Sequence, residues 1–243
     1  MSEFVSFITA GDPSLEKTRE FIEVLAPYSD IIEVGLPFSD PIAEGEVIQA
    51  ASLRALARGT TTDGLFQMLK TVTYDKMVIM TYANPVFVYG YERFFRECRE
   101  CGVYGVIIPD LPFEERGEAA VYADACGVHL ITLIAPTSAE RVQMLAKNAT
   151  GFIYLVSSMG VTGVRSELTI DLSAIVKEIR EVTQVPIYVG FGISTREQVE
   201  KIGELADGVI VGSAFVKIIE EHGDDSGPYI GEFIRELTGH VER

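Results

Sequence analysis

Positive charge is scarce in this chain. Its 243 residues carry 20 Lys and Arg against 36 Asp and Glu, a formal net charge of −16. Nucleic acid and anionic membrane surfaces are recognised through clustered Lys and Arg, so neither is an expected partner. A small phosphorylated substrate stays open, because backbone N–H groups at a helix N-terminus hold an anion without any basic side chain. Long apolar runs are missing too. No stretch approaches transmembrane length, and Met1-Ser2-Glu3-Phe4 leads into a strand with no signal-peptide pattern, which points to the cytoplasm. Cysteine is sparse: Cys98, Cys101 and Cys126 make no disulfide framework. Cys98-x-x-Cys101 has the spacing of a metal or redox pair. It lies in a helical segment with no second such pair and only His129, His222 and His240 elsewhere, so helix packing is the competing reading.

Apolar residues are abundant, in short and regularly spaced runs. At 47% hydrophobic and 23% charged, the composition suits a packed globule. Apolar strand-like runs fall at 4–9, 31–36, 76–82, 103–108, 128–134, 152–156, 186–189 and 207–211. Between them lie helical patterns, among them 15–28, 47–58 closed by Gly59, a further helical stretch over 65–71, then 91–100, 114–126 and 138–148; others cover 172–182, 195–205 and 214–221. Eight strand–helix repeats of roughly 30 residues are the spacing of successive βαβ units, and strands apolar on both faces belong to a covered parallel sheet. The reading is an α/β fold, a single-domain (β/α)8 TIM barrel over residues 1–243, with a doubly wound open sheet as the fallback.

One stretch, residues 31–49 (IIEVGLPFSDPIAEGEVIQ), breaks the apolar rule. Glu33 interrupts a strand whose side chains alternate between faces, and a charge there is costly unless exposed, paired or used. Inward positions of a barrel are mostly Val, Ile and Leu, so a carboxylate among them has a raised pKa unless compensated. That suits a general acid/base near neutrality; a structural carboxylate hydrogen-bonded in the barrel mouth is the alternative. Glu44, on the next loop, offers a second carboxylate for the same volume. Tyr82 and Tyr154, near the ends of strands three and six, have hydroxyls that reach this space or else are packed aromatics. Asp110, after strand four, reads as a loop cap or a site residue.

In such barrels the active site lies at the C-terminal ends of the strands. Gly190-Phe191-Gly192 after strand seven and Gly212-Ser213 after strand eight sit where barrels often bind phosphate, and residues 214–221 supply a helix behind them. Tight turns alone are the other use of these glycines. The segment 157–164 after strand six, with Thr162 and Gly163, is a candidate lid.

Several segments together resemble one family. ITAGDP (8–13), E-x-G-x-PFSDP (33–41), YANP (82–85), PDLPFEE (109–115), YLVS and GVTG (154–163), GFGIS (190–194) and VGSA (211–214) are similar to the tryptophan synthase alpha subunit, in order and over essentially the whole chain. The resemblance implies a (β/α)8 barrel that cleaves indole-3-glycerol phosphate to indole and glyceraldehyde 3-phosphate without cofactor or metal. It implies a partner, a β subunit carrying pyridoxal phosphate, in an α2β2 complex. Carried across by position, it gives Glu33 as the catalytic acid/base and Glu44 as the second carboxylate, beside the indole N–H. Tyr154 falls at the substrate, where Tyr82 is also expected from its place on strand three, and the lid Thr162 bonds the second carboxylate there, with Gly163, Phe191, Gly192, Gly212 and Ser213 cradling phosphate. Pro37, Phe38, Asp40 and Asn84 face the partner. Two departures stand out: the family usually has aspartate at Glu44, and the chain starts almost at strand one, without a short N-terminal helix. A weakly catalytic subunit that gates the β enzyme, or another sugar-phosphate barrel enzyme, are the competing functions.

Overall fold

The computed structural model describes residues 2–157, 172–190 and 192–239. Elements alternate along the chain: β1 (Glu3–Thr9), α1 (Leu15–Leu25), β2 (Ile31–Gly35), α2 (Glu46–Ala57), α3 (Thr62–Leu69), β3 (Met77–Met80), α4 (Ala83–Tyr89), α5 (Tyr91–Glu100), β4 (Val103–Ile107) and α6 (Gly117–Cys126). Then come β5 (His129–Leu130), β6 (Thr132–Ile134), α7 (Val142–Lys147), β7 (Ile153–Val156), α8 (Leu172–Arg180), β8 (Ile187–Gly190), α9 (Arg196–Gly203), β9 (Gly208–Val211), α10 (Ser213–His222) and α11 (Gly227–Thr238).

Every strand pairing is parallel, in the order β5-β4-β3-β2-β1-β9-β8-β7-β6. The two ends of that order are consecutive in sequence, so the sheet closes on itself. The expected fifth strand, 128–134, is split at Ile131. Its N–H donates to the Val106 carbonyl at 3.0 Å on the β4 side, while Thr132 pairs with Ile153 of β7 on the other. The expected barrel is therefore present, with its fifth strand in two pieces.

Side-chain alternation sorts the strands into two packed layers. Val5, Phe7, Ile31, Val78, Ile107 and Ile210 fill the barrel, and all are buried. Ile8, Ile32, Val34, Ile79, Val106 and Val209 point outward into the helix layer. Cys98 belongs to that outer layer, and Cys101 and Cys126 pack against it, which agrees with the helix-packing reading of the pair.

Helix ends obey local chemistry. Ser14 and Thr61 accept from the N–H groups of Lys17 and Gly64, and Thr195 with Gln198 forms a reciprocal capping box. The helix expected over 47–58 and closed by Gly59 is α2, and the helical stretch expected over 65–71 is α3, which already starts at Thr62. Two expectations are corrected. Ser138 caps no α-helix: residues 136–141 are 3-10, and the Ser138 hydroxyl accepts from Ala135 N–H at 3.1 Å. Ala83-Asn84-Pro85, expected as a loop, opens α4.

Candidate active site

β2 carries Glu33 into the barrel. It stands opposite Phe7 of β1 and Val78 of β3, both interior residues, and is 1% exposed. Its Oε2 is buried with no hydrogen-bond partner among the described residues. Burial, with Glu44 nearby, pushes this carboxyl up to about 8. A buried unpaired carboxylate costs so much that the group takes up a proton instead. Glu33 is thus a neutral acid at pH 7.

Glu44 sits on the loop between β2 and α2, half-buried. The Tyr82 hydroxyl donates to Glu44 Oε2, and the Tyr82 oxygen in turn accepts from Ala43 N–H at 3.0 Å. Gln49 of α2 donates through Nε2 to the Glu44 carbonyl at 2.8 Å. Burial raises the Glu44 pKa, the Tyr82 hydrogen bond opposes that, and Asp110 adds to it. The ring of Phe38 stacks on Tyr82, with centroids 5.2 Å apart. Tyr82 therefore joins three points of one loop, a role beyond the substrate contact expected of it from sequence.

The next element along the chain fixes Tyr82 in turn. It is the residue before α4, and Asp110 Oδ1 accepts from Ala83 N–H at 2.8 Å. Asp110 is a helix-end cap, one of the two uses open for it from sequence.

On the far wall, Tyr154 of β7 lies in the barrel interior, and burial together with Glu33 and Glu44 raises its pKa well above the ordinary value. A Cβ at Gly190 would overlap the Tyr154 hydroxyl, so that position of β8 accepts only glycine while the tyrosine keeps its place. Phe7, whose ring a Cβ at Gly35 would strike at 2.8 Å, completes the wall. Sequence reasoning missed Phe7 as a site residue. Strand alternation puts it on one face with Val5, but its contact with Gly35 comes from the pairing register.

The residues expected at a phosphate lie on other elements. Gly192 is exposed with φ 72°, a left-handed conformation that favours glycine. Gly212 precedes α10, whose first residue is Ser213. That helix has neither a side-chain cap nor an acid in its first turn, a condition it shares with α4, α7 and α11, whereas α1, α2, α3, α5, α6 and α9 each have an acid there. Its first N–H groups and dipole meet no carboxylate of their own turn, a condition that suits an external anion. Arg54 of α2 ties this helix to the β1 end: it forks Asp12, with contacts of 3.1 and 2.7 Å, and reaches Glu220 of α10 at 2.9 Å. Thr162, Gly163 and Phe191, with the candidate lid beyond residue 157, lie outside the described residues.

Of the four residues read as partner-facing, Asp40 and Asn84 are exposed, Phe38 is half-buried and Pro37 is buried. Their segments also carry the exposed apolar residues Ile42, Phe87 and Val88.

Comparison with known proteins gives one family. A family model described as tryptophan synthase alpha chain matches residues 1–237. A protein of that name from Lacticaseibacillus casei is 44% identical over 243 residues, covering 98% of this chain and 91% of its own length. One from a Geobacter species is 45% identical with the same coverage. Among solved structures, a chain of the Pyrococcus furiosus tryptophan synthase α2β2 complex superposes with a TM-score of 0.89 at 36% identity, over 98% of this chain and 100% of that one. The tryptophan synthase subunit alpha of Campylobacter jejuni gives 0.85 at 37%, over 97% and 95%. The chain belongs to the tryptophan synthase alpha chain family.

Proposed function

We propose that this chain cleaves indole-3-glycerol phosphate to indole and glyceraldehyde 3-phosphate, with Glu33 as proton donor and acceptor. The observation that carries the reading is a buried, unpaired carboxyl on a barrel strand, held neutral at pH 7. Neutral Glu33 donates its proton to indole C3, and the ring nitrogen becomes cationic. Glu44, across the site, offsets that charge. Glu33, now a carboxylate, takes the proton of the hydroxyl next to the breaking bond. The C–C electron pair returns to the indole, the aldehyde forms, and Glu33 is neutral again. No redox or metal step enters this scheme; Glu33 supplies the acid–base work and Glu44 the balancing charge.

The phosphate is assigned to the amides of Gly192, Gly212 and Ser213 at the start of α10, with Gly163 and Phe191 as further expected contacts. Tyr154 and Phe7 bound the indole. The partner is a β subunit, the one that holds pyridoxal phosphate, in an α2β2 assembly. Ile42, Phe87 and Val88, exposed near Asp40 and Asn84, support a docking face there. The competing gating-only function rests on Glu44 standing where the family has aspartate. Against it, the Glu44 carboxylate is held by Tyr82 rather than left loose. Indole release from indole-3-glycerol phosphate, measured with and without β subunit, decides. Steady turnover that rises with the partner is expected; no release under either condition leaves only gating, and turnover of other sugar phosphates alone points to a different barrel enzyme.

A further inference from the structure

A cavity of about 160 Å3 lies at the β4, β5 and β6 side of the barrel, between the 108–116 loop and the 136–141 turn. Its apolar lining includes Val106, Leu130 and Leu145 of the outer layer, with Ile131 and Leu133 of the strand wall beside them. Phe113, Arg116 and Arg141 stand at its edge. Glu114 occupies Arg141, accepting from Nη2 with both carboxylate oxygens at 2.6 and 2.7 Å.

Arg116 is different. It is half-buried, and it donates to the Thr132 hydroxyl at 3.3 Å and to the Asn148 carbonyl at 3.1 Å, both neutral oxygens. Its guanidinium lies 4.0 Å from the centre of the Phe113 ring. Among the described residues it forms no salt bridge, in a chain with 36 acids for 20 bases. Burial lowers its pKa, and the charge of Asp124, with which it forms no ion pair, opposes that only in part. A guanidinium fork against a ring face is a geometry that takes a carboxylate in its plane and an aromatic group beside it.

Size limits the rest of the ligand. A dry apolar cavity of about 150 Å3 accepts a benzene ring, and drug-sized ligands need roughly 300 Å3 or more. We infer that this cavity binds a small monocyclic aromatic carboxylate, the ring on Val106, Leu130 and Leu145 and the carboxylate on Arg116. The site lies under the 108–116 loop that also carries Asp110, so its occupant borders the support of α4 and Tyr82. Binding here is independent of the proposed reaction.

Benzoate is the probe, titrated calorimetrically into the full-length chain, with benzyl alcohol as the uncharged control. Saturable benzoate binding is expected, with benzyl alcohol and Arg116→Gln each weakening it roughly tenfold or more through loss of a charge-assisted contact. Leu145→Phe, which fills the floor, should abolish it. Saturating glycerol 3-phosphate, which addresses the catalytic mouth, should leave it unchanged. If Leu145→Phe does not fold, Arg116→Gln decides alone. Absence of saturable binding overturns the inference. So does affinity indifferent to Arg116→Gln, or displacement by glycerol 3-phosphate.

Discussion

Glu33 sets the pH behaviour of the molecule. Its carboxyl is raised from the ordinary range to about 8 by burial, so the folded state binds a proton that the unfolded chain has released. Between about pH 4.5 and 8 folded Glu33 holds more protons than unfolded Glu33, and stability falls as pH rises across that window. The full difference is on the order of 5 kcal/mol. Glu33→Gln removes this titration, so the stability of the variant to denaturant should decline less between pH 5 and 8 than that of the parent. Parallel curves would show that Glu33 ionises normally. Tyr82 is the second residue with a specific consequence. Tyr82→Phe leaves the Glu44 carboxylate and the Ala43 N–H without their shared partner. Hydrogen bonds to charged groups are worth roughly 1.5–3 kcal/mol, so kcat/KM for indole release should drop about 10- to 100-fold. An unchanged kcat/KM means Glu44 needs no support from Tyr82.

At the scale of elements, the alternation of apolar runs and helical patterns makes eight strands and their helices readable, because a covered parallel sheet requires that pattern. Glu33 is readable for the same reason, as a charge inside such a run, whereas Lys76 and Asp207 stand at the ends of theirs. The contact of Tyr82 with Glu44 is not, since it depends on the path of the 36–45 loop. Helix α4 is hidden because Pro85 reads as a breaker; in the first helical turn proline removes no internal hydrogen bond. The split at Ile131 is a product of closure, and nothing in the run 128–134 (VHLITLI) marks it. The glycines after β8 and β9 are visible as residues, but the acid-free first turn of α10 matters only once the helix start is placed. If that helix end holds phosphate, Gly192→Val, which also strains a left-handed φ, should raise KM more than it lowers kcat. A kcat loss at constant KM would move the phosphate elsewhere.

For the whole molecule, the barrel brings Glu33, Glu44 and the start of α10 from three separate elements, and exposes apolar residues beside the Glu44 loop. Under the proposed function, a charge of −16 leaves the backbone at α10, not basic side chains, to attract the phosphate. The central claim is that the proton moves through Glu33. Its most direct test is kcat for indole release by Glu33→Gln, measured with β subunit present and with far-ultraviolet circular dichroism reporting the fold. General acid/base groups contribute roughly 10²- to 10⁴-fold, so kcat should fall by at least that lower figure while the spectrum is unchanged. A folded variant that keeps more than about a tenth of the parent kcat contradicts the claim.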